Sequence, residues 1–140
     1  MKRPAVPGIL RLVDANLNRC REALRVLEDT ARFVWDERRL FESFRSARHG
    51  LDRMSRPLYP DLIAERESGS DRGRKIREPG RRGLRGLVTA NFKRCGESLR
   101  VLEEYGKLFS ARGAARMKAM RFRIYRLEKD VLGPGGPCAG

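Results

Sequence analysis

Residues 13–32 read VDANLNRCREALRVLEDTAR, and residues 88–107 read VTANFKRCGESLRVLEEYGK. The two stretches align without a gap at an offset of 75 residues. Asn16/Asn91, Arg19/Arg94, Cys20/Cys95, Glu22/Glu97, Leu24/Leu99, Arg25/Arg100 and Glu28/Glu103 are among the identical pairs. That density of identity over 20 positions means that the chain is two copies of one supersecondary unit. In the first copy apolar residues recur at 17, 20, 24, 27, 31 and 34, in alternating steps of three and four, which is one face of an α-helix. Asp14 and Thr89 are good N-cap types and mark the expected helix starts, Asp14 also suiting the positive end of the dipole.

A second helix follows in each copy. Leu40, Phe44, Ala47, Leu51 and Met54 mark the first, and Met117, Met120, Ile124, Leu127 and Val131 mark the second. Aligning Ala47-Arg48-His49 with Met120-Arg121-Phe122 needs an offset of 73, so the turn inside the second copy is two residues shorter. Strand-like alternation is absent. The expected fold is all-α, a duplicated helical hairpin forming a four-helix bundle-like domain with pseudo-two-fold symmetry. One domain is expected over 1–132, with repeats at about 9–56 and 84–132 joined by a basic linker, 57–83. Pro57, Pro60, Gly69, Gly73, Pro79, Gly80 and Gly83 limit any helix in that linker to two or three turns. The Gly/Pro-rich stretch 133–140 is expected to be a disordered tail.

The 140 residues are 40% hydrophobic and 36% charged, enough for one core without disulfide staples. No apolar run approaches the roughly 20 residues of a membrane span. The opening Met1-Lys2-Arg3-Pro4 and the charge-interrupted Ile9–Val13 do not make a secretory signal. Three cysteines cannot all pair within the chain, which fits a reducing, cytoplasmic compartment. The net charge of +14 invites an anionic partner, but 26 of the 32 basic residues are arginine, a ratio that codon bias alone can produce. Residues 66–85 carry eight basic and three acidic side chains; the plainer reading is a solvated linker, the sharper one a phosphate-binding loop of glycine amides and arginine forks.

On a helical wheel Asn18, Glu22, Arg25, Asp29 and Arg32 form one polar stripe, matched by Lys93, Glu97, Arg100, Glu104 and Lys107. A surface stripe of ion pairs is the plain account, each pair worth a few tenths of a kcal/mol. Arg19 and Arg94 instead fall inside the broad apolar arc, with Asn16 and Asn91 near it. A buried arginine needs a carboxylate or a bound anion. Either a structural Arg–Glu pair joins the halves, or a ligand site lies at their interface. No phosphate-binding loop ending in Lys-Ser/Thr, no zinc spacing and no Gly-x-Ser-x-Gly occurs. His49 has no evident nucleophile partner, and Cys20 and Cys95 read as small core residues.

The duplicated Asn-x-x-Arg-x-x-Glu-x-Leu-Arg-Val-Leu-Glu core, the Arg66…Asp71-Arg72-Gly73 segment between the copies and the Arg48-His49 and Arg121-Phe122 pairs carry a resemblance. Over roughly residues 9–131 the chain resembles the small all-helical hydroxymethylpyrimidine-phosphate kinases of bacterial thiamin biosynthesis, a domain also found fused N-terminally to thiamin-phosphate synthase. No barrel domain follows residue 131, so synthase activity is not expected.

The resemblance implies transfer of the ATP γ-phosphate to 4-amino-5-hydroxymethyl-2-methylpyrimidine phosphate, giving the diphosphate, with Mg²⁺ as cofactor. Phosphoryl transfer needs positioning and charge neutralisation, which suits an arginine-rich inventory. On this reading Asp14, Arg19, Glu22 and Asp71 are the catalytic set, with Glu22 and Asp71 as metal ligands. Asn16, Asn18, Arg25, Arg66, Gly73, Asn91, Arg94, Glu97 and Arg100 bind substrate or nucleotide. Arg72 stands where the family is expected to have a small aliphatic residue, and Thr89 stands opposite Asp14, which favours one site per chain. The implied partners are small molecules, with a homodimer and an association with thiamin-phosphate synthase left open, and neither a membrane nor nucleic acid expected. The competing class is a non-catalytic basic binding module, attaching to nucleic acid or regulating thiamin-phosphate synthase, supported by seven basic residues against one acidic in 112–129.

Overall fold

The computed structural model describes residues 3–139; Met1 and Lys2 of the expected domain and Gly140 of the expected tail lie outside the described residues. The helices are α1 (Ile9–Asp29), α2 (Arg38–Ser55), α3 (Tyr59–Glu65), α4 (Gly83–Gly106) and α5 (Ala111–Leu132), with no strand among the described residues. The expected all-α architecture is the one observed: α1–α2 and α4–α5 are the two hairpins. The short α3 sits in the linker behind Pro57, with Pro60 in its own first turn, and runs for the two turns expected there.

α1 and α4 form the centre and cross antiparallel. Cys95 approaches the Cys20 carbonyl, its Sγ 4.0 Å away, while Asn16 shares a cleft with Val101 and Val13 shares a cavity with Gly106. Residue numbers therefore rise along α1 as they fall along α4, with the pseudo-two-fold axis passing near the cysteines. α2 packs on α1 and α5 on α4, with little contact between the outer pair. Leu24, Leu27, Phe44, Phe92, Leu99 and Ile124 are buried in one core, each contributing about 1.5–3 kcal/mol by leaving water.

Both hairpins carry the same internal staple. Arg48 of α2 makes a two-pronged contact with Glu28 of α1, at 2.9 and 3.2 Å. At the equivalent positions Arg121 of α5 reaches Glu103 of α4, at 2.8 and 3.1 Å. The repeated final Glu of the Leu-Arg-Val-Leu-Glu core is thus a buried carboxylate that ties one helix to the next, and its guanidinium partner is what makes the burial tolerable. The Glu28 hydrogen bond raises the Arg48 pKa, and hydrogen bonds to Tyr125 and Glu103 raise that of Arg121.

Two expectations change, and the offset of 73 gains its physical basis. Asp14 and Thr89 are not caps, because α1 begins at Ile9 behind Gly8 and α4 at Gly83. Burial of Ile9, Leu10 and Val13 extends the first helix, and Thr89 bonds back to the Arg85 carbonyl at 2.8 Å. The extra two residues of the first hairpin are absorbed by a wide π-type turn over Thr30–Val34 and by Asp36 at φ 50°, so α2 and α5 start 73 apart. Residues 133–139, expected to be disordered, fold back over the end of α5. The Cys138 amide donates to the Val131 carbonyl at 3.1 Å, and Arg85 donates to the carbonyls of Leu132 and Cys138. These contacts satisfy carbonyls that a helix end leaves open, and a Cβ at Gly136 would collide with the carbonyls of Asp130 and Val131.

Candidate functional site

The identical Asn16/Asn91 and Arg19/Arg94 lie on the face of the α1–α4 pair that is not covered by α2 or α5. A cleft of about 400 Å³ opens there, lined by Asn16 and Arg19 of α1, by Arg94, Glu97, Ser98 and Val101 of α4, and by Asp71, Gly73, Ile76 and Glu78 of the linker. Its floor is helical and its roof is the segment after α3. Arg19 and Arg94, one from each copy, both line the cleft.

Asn16 is buried, its amide donating to the Leu12 carbonyl at 3.0 Å while its oxygen accepts from Arg19 at 3.4 Å. It therefore orients Arg19. Asn91 makes the same backbone contact, to Leu87 at 2.9 Å. Arg19 itself is exposed and Arg94 half-buried, so the expected burial of both inside the apolar arc is corrected: the arc is broader than the surface the partner helix covers. The buried Arg–Glu pairs are the hairpin staples instead. Arg94 donates to Glu78 at 2.7 Å. That hydrogen bond and the Arg94 charge hold the Glu78 carboxyl below the usual carboxylate range, with smaller contributions from Arg81 and Arg19. A carboxylate of the linker thus sits on Arg94, in the cleft that Arg19 also lines.

The roof is tied down at its start. Arg66 makes a two-pronged ion pair with buried Asp14, both contacts 2.7 Å, and these bonds raise the Arg66 pKa. Arg11 donates to the Glu67 carbonyl at 2.7 Å. Asp71 then turns the chain, one carboxylate oxygen accepting from the Gly73 amide at 2.9 Å, with Arg72 pointing to solvent. Asp71 and Gly73 reach the cleft through this turn.

Of the residues expected to form a site, the structure brings together Asn16, Arg19, Asp71, Gly73, Arg94 and Glu97. Asp14 and Arg66 pair with each other at the cleft's edge and anchor its roof. Glu22 is exposed on α1, one turn beyond Arg19. Asn18 accepts from Arg21 at 2.7 Å, while Arg25 and Arg100 form ion pairs along their own helices with Glu28 and Asp29, and with Glu103 and Glu104. None of these four lines the cleft, nor does Asn91. Sequence reading missed Glu78 and Ser98. Glu78 is the single acidic residue between Arg72 and Arg85, and Ser98 breaks the repeat opposite Ala23; both signals are weak without the fold.

A magnesium ion usually keeps several waters and takes one or two protein carboxylates together with substrate phosphates. Asp71 has one oxygen left after the Gly73 contact and Glu97 is exposed on the same cleft, so the donor set fits an ion carried in on a nucleotide. No group of three or more His, Cys, Asp or Glu side chains that could hold an ion alone occurs among the described residues. Among them, no helix is long and apolar enough to cross a membrane.

The ThiD2 family matches residues 11–130. The chain is 40% identical over 137 residues to the thiamine-phosphate synthase of Synechocystis sp., covering 95% of this chain and 39% of that protein. It is 39% identical over 133 residues to that of Thermosynechococcus vestitus, covering 91% and 37%, and 36% over 127 residues to that of Rhodopirellula baltica, covering 88% and 34%. The chain thus spans less than two-fifths of the length of these curated relatives. No solved structure matches it.

Proposed function

The chain belongs to the ThiD2 family, and on that premise we propose that it acts in thiamin biosynthesis as a phosphotransferase. Its substrates are Mg-ATP and 4-amino-5-hydroxymethyl-2-methylpyrimidine phosphate, and its products are ADP and the pyrimidine diphosphate. A phosphate oxygen of the pyrimidine substrate attacks the γ-phosphorus, the bond from that phosphorus to the β–γ bridging oxygen breaks, and ADP leaves with the electron pair. The observation that carries the reading is that Arg19 and Arg94 line one cleft, where Arg94 already holds a carboxylate, that of Glu78, at 2.7 Å. Two guanidinium groups lining one cleft supply what a transferring phosphoryl group needs, because the barrier is lowered mainly by positioning and charge neutralisation.

In this reading a substrate phosphate displaces Glu78 and takes its place on Arg94 and Arg19. Asn16 fixes the Arg19 fork and is a positioning residue. Gly73 lets the roof approach the phosphates, Asp71 and Glu97 hold the Mg²⁺ that offsets phosphate charge, and the Asp14–Arg66 pair keeps the roof in register. The names of the synthase relatives fit a chain working in the same biosynthesis as that enzyme.

The test is a coupled assay of ADP release with Mg-ATP and the pyrimidine monophosphate, with the free alcohol as control. Diphosphate formed from the monophosphate alone is the expected result. No turnover by a chain that is folded by circular dichroism would sink the kinase and leave a regulatory partner of the synthase.

A further inference from the structure

The pseudo-two-fold supplies an internal comparison for the ends of the bundle. Phe92 of α4 and Phe44 of α2 are both buried and pack with ring centroids 5.8 Å apart, filling one end. Their repeat equivalents at the other end are Leu17, at the offset of 75, and Met117, at the offset of 73. Ala31 likewise becomes Gly106. Where the first end holds two aromatic rings, the second holds a cavity of about 210 Å³, lined by Val13, Leu17, Met54, Leu102, Phe109 and Met117 among others.

We propose that this cavity is a ligand site for a single planar aromatic ring bearing a phosphate or carboxylate. An apolar cavity of about 150 Å³ holds benzene, so a substituted six-membered ring fits the volume. Filling it restores the dispersion contacts that the Phe44–Phe92 pair supplies in the other half, and the two methionines adapt to a flat ring and offer sulfur contacts. The anionic group follows from Arg112 and Arg116, which line the solvent side of the cavity and have neither an ion pair nor a hydrogen bond among the described residues. Their forked donors would take a phosphate or carboxylate while the ring goes inward. No residue lines both this cavity and the Arg19–Arg94 cleft, so the site is additional to the phosphoryl-transfer reading and does not rest on it.

Methyl ¹³C-methionine NMR on the full chain tests the site, with phenyl phosphate and benzoate as probes. Both should move the Met54 and Met117 methyl signals and leave that of Met120, which packs against Gly50, in place. Leu17→Phe should close the cavity and raise the phenyl phosphate Kd at least about tenfold; Met117→Phe serves the same purpose should the first variant misfold. Arg112→Gln with Arg116→Gln should weaken both anions while binding of benzyl alcohol stays unchanged. Three results would overturn the proposal. They are no Met54 or Met117 shift at millimolar phenyl phosphate, shifts that persist in a folded cavity-filled variant, or equal shifts from inorganic phosphate alone. Unchanged anion binding in the double arginine variant would overturn the charge half of it.

Discussion

Glu78 offers a direct handle on the cleft, because a carboxylate titrates and the Arg94 guanidinium lowers its pKa. A depressed carboxyl contributes stability that is complete above the ordinary value of about 4.3 and is lost as pH falls through the depressed one. The roof contact is therefore intact at neutral pH and released only in acid. The side-chain carboxyl ¹³C resonance of Glu78 should titrate below that ordinary value, and Arg94→Gln should move its midpoint upward; equal midpoints would remove the ion pair from solution. In the kinase assay Glu78→Ala should lower KM for the pyrimidine phosphate about two- to fivefold, because it frees Arg94 from an exposed carboxylate. Arg19→Met should cost on the order of 10² in kcat/KM with helicity preserved, and near-normal turnover would put the chemistry elsewhere. Burial separates two kinds of ion pair. Glu28→Gln removes the buried carboxylate that the half-buried Arg48 grips and should cost about 3 kcal/mol, whereas Glu42→Gln, in the exposed pair with Arg38, should change stability by less than about 0.5 kcal/mol. Urea unfolding of the two variants side by side measures the contrast.

At the scale of elements, the repeat explains why the two hairpins agree where they touch and differ where they turn. Glu37 caps α2 by accepting from the amides of Arg39 and Leu40, and Ser110 caps α5 by accepting from that of Gly113. These starts stand 73 residues apart, the offset the apolar pattern of the second helices requires. The cap identities differ because only the helix behind them is repeated. The folded-back tail is an element no periodicity announces. Its hold on α5 depends on close approach, so Gly136→Ala, which adds a Cβ where two carbonyls already sit, should expose the Val131 carbonyl contact and speed amide exchange of Cys138. Unaltered exchange there would mean that the tail does not pack on the helix end.

For the whole molecule, the axis at Cys20 and Cys95 is the contact that makes two hairpins one body. Contact with Cys20 and burial push the Cys95 thiol up, and both thiols are free and buried. A thiolate is the reactive form. With a thiol reagent in native buffer only the partly exposed Cys138 should react quickly, Cys20 and Cys95 following at the rate of unfolding; early labelling of either would mean that the α1–α4 crossing opens in the native state. The duplication, the helical class and the shared Asn–Arg–Glu face were legible from residues 13–32 and 88–107 alone, because a 3.6-residue period and an unbroken offset are local properties of the chain. Periodicity gives the angle of a side chain about its own helix, but not which neighbour covers that angle. Only the tertiary structure decided that Glu28 and Glu103 are buried and stapled while Arg19 is left open. It decided also that the linker roofs the Asn16 half of the groove, drawn there by the Asp14–Arg66 pair 52 residues apart. Such pairings join positions far apart in sequence, and their partners are fixed by how α1 and α4 cross, not by any pattern within either one.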